Sequence, residues 1–207
     1  SSADAKVREW PFWEPWKSPR TGGDIDAAQA ADQVRELLSD SVRLRLMSDV
    51  PFGAFLSGGL DSSGVVALMA QHMDEPVQTF SIGFSEEARV DERAHARAVS
   101  EHCGTHHREV DCTADRVDLL PKLLHHFDEP FADPIIVPTH QVSELAREHV
   151  KVVLTGEGAD ELFGGYTRYV RDGSIRRLQM LPGGLRSLLA SIGQKVAPGH
   201  SLTRAFN

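Results

Sequence analysis

The stretch Phe55-Leu-Ser-Gly-Gly-Leu-Asp-Ser-Ser63 decides how this chain is read. Taken alone it admits three meanings: a flexible turn, a serine nucleophile on a tight bend, or a loop that grips phosphate. Its neighbours choose among them. Residues 52–56 are short and apolar and read as a buried strand, and residues 62–73 read as the helix that follows. In an open parallel sheet, ligands bind outside the carboxyl ends of the strands, where this loop falls. Gly58 and Gly59 allow backbone N–H groups to approach a ligand. Ser62 and Ser63 open the helix, whose unpaired N–H groups and dipole favour an anion. The expected ligand is phosphate.

The competing motifs fail on their own terms. A nucleophile elbow needs serine between glycines, and here the glycines adjoin. A Walker A loop needs a lysine after the last glycine, and G-x-G-x-x-G is absent. The plain alternative is a Gly-Gly turn in which Asp61 or Ser62 only caps a helix. Asp61 argues further. A carboxylate beside bound phosphates repels them unless a divalent cation lies between, and magnesium commonly takes one or two carboxylates plus phosphate oxygens. The loop therefore reads as a site for a nucleoside triphosphate with Mg²⁺.

Outward from the loop, strands and helices alternate. Helical spacing begins near Asp24 or Asp26, with Val34, Leu37, Leu38, Val42 and Leu46 as its apolar positions. Strands are expected at 77–84 and 106–110, and helices at 91–102, 113–127 and 138–149. Residues 150–154 (VKVVL) read as a strand covered on both faces. The fold class expected is α/β, a doubly wound parallel sheet with flanking helices. Three segments are expected: an arm over 1–25, a core over 26–170, and a basic helical tail over 171–207. Three Trp and three Pro crowd residues 8–25, where proline spacing forbids a helix.

Composition excludes several classes. No apolar run approaches the roughly 20 residues a membrane span needs, and the N-terminus has no signal pattern. It also lacks an initiator Met, which fits an excised piece better than a native start, and the end at Phe206-Asn207 looks cut off. Cys103 and Cys112 make no disulfide framework or CxxC pair, so a reducing cytoplasm is the expected compartment. Residues 167–207 hold seven Lys or Arg against one Asp. The body before them holds the other 15 basic and 29 acidic residues of the chain's 22 and 30. An acidic body argues against nucleic acid as a partner, and the tail's arginines suit acidic protein surface. The pairs His106-His107 and His125-His126 read as ordinary packing or surface residues, because adjacent histidines diverge and no partners complete a zinc set.

A second motif narrows the reading. Ser57-Gly-Gly-Leu-Asp-Ser62 resembles the SGGxDS pyrophosphate loop of the N-type ATP pyrophosphatases. Val153-Leu-Thr-Gly-Glu-Gly-Ala-Asp-Glu-Leu-Phe-Gly-Gly-Tyr166 resembles the SGEGxDE-x-FGGY segment of their asparagine synthetase branch. Val50-Pro-Phe-Gly-Ala-Phe-Leu56, Phe80-Ser-Ile-Gly-Phe84 and Asp128-Glu-Pro-Phe-Ala-Asp133 fit the same branch, so the resemblance covers residues 8–169. It implies an adenine nucleotide alpha hydrolase-like fold. It also implies ATP-driven adenylation of the aspartate side chain, then attack by ammonia from a glutaminase domain that this chain does not contain.

By resemblance, ATP is held by Leu56, Ser57, Gly58, Gly59, Asp61, Ser62, Ile82, Thr155 and Gly156. Leu56 and Ile82 lie near adenine, and Ser57, Gly59 and Ser62 hold phosphate. Asp61 and Asp160 share Mg²⁺, and Glu157 and Asp160 are the catalytic candidates, with Glu157 facing the acyl substrate. A homodimer is the expected full-length form. Neither the glutaminase domain nor the later lysine-bearing segment of the family is matched, so little complete activity is expected of this chain by itself. Two other readings share these residues: a specialised amide-forming relative, such as a β-lactam synthetase or lasso-peptide cyclase, and a non-catalytic nucleotide-binding or assembly module.

Overall fold

The computed structural model describes residues 9–12, 14, 25–85, 91–113 and 118–169. Most of the proline- and tryptophan-rich arm and all of the basic tail after Tyr169 lie outside the described residues. The chain divides into two compact units, Ser1–Arg45 and Leu46–Asn207. The described part of the first unit is chiefly one helix, α1, Ala27–Arg45, and Asp26 accepts a hydrogen bond from the Gln29 amide at its start. Val42 is its one buried residue. Leu37, expected on a covered face, is 73% exposed.

Among the described residues, the second unit holds a four-stranded parallel sheet with helices around it. Its elements run β1 (Phe52–Phe55), α2 (Leu60–His72), β2 (Gln78–Gly83), α3 (Arg93–Cys103), β3 (His106–Asp111), α4 (Leu120–Phe127), α5 (Ile136–Arg147), β4 (Val152–Leu154) and α6 (Ala159–Phe163). The strand order is β3-β2-β1-β4, with Phe55 opposite Phe80, Gln78 opposite His106 and Ala54 opposite Leu154. The first two crossovers step one way along the sheet, and the third returns past β1. Right-handed connections then place α2 and α3 on one face and the α4–α5 crossover on the other. Contacts of α2 with α3 and of α4 with α5 agree with this. The doubly wound α/β class expected from the sequence is the class observed.

β2 is one of two interior strands and is buried along most of its length, because α3 and α5 both pack against it. Phe80 packs with Val142, Ala146 and Val150, and Phe55, Ile82, Leu145 and Val153 close around them. The run 150–154 departs from expectation. Only Val152–Leu154 forms a strand, and it lies at a sheet edge instead of being covered on both faces. Val153 turns toward the core, beside Val150, which precedes the strand, whereas Val152, on the face alternate to Val153, is 44% exposed. The helix expected over 113–127 is ordered as α-helix only from Leu120, where Pro121 suits the first turn. Residues 114–117 lie outside the described part.

The sheet interior also carries a polar network. The fully buried Thr79 hydroxyl bonds Thr105 Oγ1 at 2.8 Å and His107 Nδ1 at 3.0 Å, and Thr105 Oγ1 donates to Ser100 Oγ at 2.8 Å. His107 Nε2 lies 3.2 Å from Glu109 Oε1, and Glu109 in turn accepts two bonds from Arg97. His107 is thus a packed residue, as expected. Burial pulls its pKa below the ordinary 6.5, outweighing the opposing pull of Glu109.

A base whose folded pKa lies below its unfolded value stabilises the fold fully above the unfolded value and loses that contribution as pH falls below it. Denaturant midpoints followed from pH 8 downward should therefore hold until about 6.5 and then decline. His107→Gln should flatten that decline. An equal decline in the variant would assign the effect to other groups.

Candidate functional site

The loop after β1 is shaped by serines that bond each other. The Ser62 hydroxyl accepts from the Ser57 amide at 3.2 Å and donates to the Gly59 carbonyl at 3.3 Å. The Ser57 and Ser62 hydroxyls lie 2.9 Å apart, and Ser57 Oγ accepts from the Gly59 amide at 3.2 Å. Gly59 is the residue before α2, and no side chain caps that helix. Its leading N–H groups are thus left for solvent or an anion, with the positive end of the dipole behind them. The plain alternative of an Asp61 or Ser62 cap is not what forms.

Gly58 has φ +84°, a conformation glycine takes at little cost. Its backbone also lies against the first turn of α3. A Cβ built there would fall 2.5 Å from the Ala96 amide nitrogen and 2.6 Å from His95 Cβ. Behind the loop, Leu56 is buried, its amide donates to the Phe80 carbonyl at 2.9 Å, and its carbonyl accepts from the buried Ser81 hydroxyl. β2 runs on to Gly83, beyond the last β1 pairing at Phe80, so its edge at Ile82 continues past the start of the loop. The Ile82 side chain packs against the core.

The second motif arrives from β4. Thr155 and Gly156 follow that strand directly, Glu157 and Gly158 form a turn, and Asp160 and Glu161 occupy the first turn of α6. Because β4 pairs with β1, Gly156 meets the start of α2. A Cβ there would fall 2.6 Å from the Ser62 amide nitrogen and 2.8 Å from the Asp61 carbonyl carbon. Backbone touches backbone, and no side chain fits between. Leu56, Ser57, Gly58, Gly59, Asp61, Ser62 and Gly156 are thereby gathered at one place. Thr155, Glu157 and Asp160 open on the same sheet edge, and Ile82 lies one strand away.

Asp61 and Glu157 are exposed, and Asp160 is half-buried with its carboxylate lying over Gly165. Glu161 and Tyr166 were not singled out from the sequence. The Tyr166 hydroxyl donates to Glu161 Oε1 at 2.5 Å, which lowers the Glu161 pKa and raises that of Tyr166. Arg168 stacks over the Tyr166 ring, 4.3 Å from its centroid. The spacing of Glu161 and Tyr166, five apart across a Gly-Gly turn, was the available signal.

Among the described residues, no group of three His, Cys, Asp or Glu side chains forms a metal cage. Two carboxylates in the first turns of the helices that follow β1 and β4, Asp61 on the uncapped α2 and Asp160 on α6, are of the kind that suits a magnesium ion completed by phosphate oxygens and water. The residues present therefore fit that ion in company with a phosphate ligand. Zinc, which asks for Cys and His ligands, they do not fit.

The strand order reverses between β1 and β4, and both glycine-bearing loops emerge at that reversal. In a doubly wound sheet this is the ligand-binding crevice, so the fold and site define a ligand-binding α/β domain of the switch-point class. The chain belongs to the asparagine synthase family, whose model matches residues 33–204.

Two relatives illustrate the match. A Methanocaldococcus jannaschii protein provisionally named asparagine synthetase [glutamine-hydrolyzing] 2 is 40% identical over 183 residues, 87% of this chain and 35% of its own length. Asparagine synthetase [glutamine-hydrolyzing] 1 of Bacillus subtilis is 38% identical over 168 residues, 81% of this chain and 26% of its own length. The chain thus spans about a quarter to a third of these relatives. Among solved structures, a glutamine-dependent NAD+ synthetase from Acinetobacter baumannii in complex with adenosine diphosphate aligns with a TM-score of 0.49. Its identity is 19%, over 70% of this chain and 29% of that one, a likeness too slight to build on.

The Gly156 contact can be tested without any ligand. Gly156→Ala forces a methyl group into the Asp61–Ser62 backbone, and overpacking of this kind costs about 1–3 kcal/mol. Denaturant unfolding should show that loss, while Gly104→Ala, a control with open space around it but a positive φ, reports backbone strain alone. A variant at Gly156 as stable as the parent would mean the two turns are not in contact.

Proposed function

We propose that this chain is the ATP-using synthetase part of an amide-forming ligase of the asparagine synthetase type. The observation that carries the reading is the packing of Gly156 on Asp61 and Ser62, which joins the phosphate-type loop to the acidic turn at the strand-order reversal. In the proposed reaction the side-chain carboxylate of aspartate attacks the α-phosphorus of ATP. Pyrophosphate leaves and an acyl-adenylate forms. Ammonia, released from glutamine by a glutaminase domain elsewhere in the full-length protein, then attacks the acyl carbon. AMP leaves and asparagine is the product.

Ser57, Gly58, Gly59, Ser62 and the start of α2 bind the leaving pyrophosphate and hold it in line. Ile82 offers backbone to adenine with Leu56 beside it, and Thr155 and Gly156 border the adenylate. Glu157 faces the aspartate, where an exposed carboxylate suits its ammonium group. Asp61 and Asp160 would hold Mg²⁺, which supplies charge neutralisation on the phosphates. Such a first step calls for positioning and electrostatic stabilisation more than for a strong base, and that agrees with a site rich in backbone donors and carboxylates. The proposed compartment is the cytoplasm, and the proposed full-length state is a homodimer.

Calorimetric titration of the chain with ATP tests this. Binding should require Mg²⁺. Asp61→Ala and Asp160→Ala should each weaken it by roughly tenfold or more, the scale of one lost charge-assisted contact. A folded parent that does not bind ATP at millimolar concentration would overturn the reading. So would two variants that bind as tightly as the parent.

A further inference from the structure

Arg93 is an investment the proposed site does not explain. Its side chain is only 15% exposed, yet it has no catalytic or binding role in the reading above. It pairs with Asp91 at 2.5 Å and with Asp111 at 2.8 Å, and it donates to the Ser85 hydroxyl at 3.0 Å. Ser85 Oγ in turn donates to Asp111 Oδ1 at 2.5 Å. The guanidinium lies across Gly83, where a built Cβ would fall 1.9 Å from its Nε. Gly83 ends β2 and Asp111 ends β3, so one cation ties together two strand ends and the start of α3.

That start of α3 is what Gly58 rests on. His95 and Ala96 follow Arg93 within the same turn, and their backbone leaves no room for a side chain at Gly58. The phosphate-type loop therefore has two walls. Gly156 presses on its helix side, and the first turn of α3 backs its glycine side. Glu92, the N-cap residue of α3, makes no side-chain cap bond, so the fastening of that turn falls to Asp91 and Arg93. Asp91 accepts from both the backbone amide and the guanidinium of Arg93.

We propose that Arg93 is a positioning residue for the phosphate loop: by clamping the first turn of α3 to the ends of β2 and β3, it holds His95 and Ala96 against Gly58 and fixes the loop's left-handed turn. The proposal rests on the phosphate reading of that loop for its ligand, but its mechanical claim concerns the protein alone. The strength of the pair agrees with it. The Asp91 carboxyl is held down to about 2, chiefly by its hydrogen bond to Arg93.

Two readouts separate positioning from plain structural support. In the ligand-free chain, Arg93→Met should move the amide resonances of Gly58 and Gly59 in ¹⁵N–¹H spectra while leaving Gly53, on β1, in place. Unmoved Gly58 and Gly59 resonances would overturn the proposal. In titrations with Mg-ATP well below the melting temperature, Arg93→Met should weaken binding roughly tenfold, the scale on which supporting contacts act. Arg93→Lys should restore part of that loss.

Gly58→Ala strains the same contact from the other side, so the two changes together should cost less than the sum of each. Additive costs would also overturn the proposal, since independent sites add. Should Arg93→Met fail to fold, Asp111→Asn releases one arm of the clamp and is read the same way. A parent chain that binds no ATP would defeat the proposed function, while the spectra of the ligand-free variants would still decide the role of Arg93.

Discussion

The site depends on one close approach, that of the Gly156 backbone to the first turn of α2. Nothing larger than hydrogen fits on its Cα, because the Asp61 carbonyl carbon and the Ser62 amide already occupy the space. The approach exists only because β4 pairs with β1 instead of adding beyond β3. That pairing in turn requires the chain to cross from one edge of the sheet to the other, which the α4–α5 segment does on the opposite face from α2 and α3. Topology, glycine and helix start form one dependency. A side chain at 156 would move α2, and a different strand order would separate the two loops altogether.

The same edge is built with polar groups where a core would use apolar ones. Ser62 and Ser81 are buried, and their hydroxyls serve the loop, Ser62 by bonding Ser57 and Gly59 and Ser81 by bonding the Leu56 carbonyl. Buried hydroxyls are tolerated when paired, and pairing fixes direction as apolar contact does not. Farther along β2, Thr79 and His107 form a second paired network away from the loops. β2 is thus apolar where Phe80 meets α5 and polar where its neighbours must be held in register.

Much of this was legible beforehand because the signals are local. Strand, Gly-Gly turn and helix follow one another within residues 52–72, and alternation of strands with helices is enough to give a parallel sheet. The less legible features depend on partners distant in sequence. The VKVVL run reads as a buried strand from its β-branched residues, but whether a strand is central or at an edge is set by which other strands join it. The role of Arg93 is hidden for the same reason. In the sequence it is one charge in Asp-Glu-Arg, and its meaning appears only when Asp111 and Gly83 arrive from two different strands. Glu161 and Tyr166 meet because a Gly-Gly turn folds the chain back, which spacing hints at and coordinates resolve.

The charge at the sheet edge gives the last step. An uncapped helix start attracts anions, yet Asp61, Glu157, Asp160 and Glu161 all open near it. These tendencies conflict if phosphate enters alone, since each carboxylate opposes it. They agree if phosphate enters with a divalent cation, because the ion then answers the carboxylates while the backbone donors answer the oxygens. On the proposed function, the acidic turn works as a filter: it rejects free phosphates and admits only the metal-bound form. The second wall of the loop matters for the same reason. Backbone donors discriminate between phosphate oxygens and water only if they are held in place before the ligand arrives. A loop of serines and glycines has little stiffness of its own, so its geometry must come from its two neighbours, the Gly156 turn and the first turn of α3.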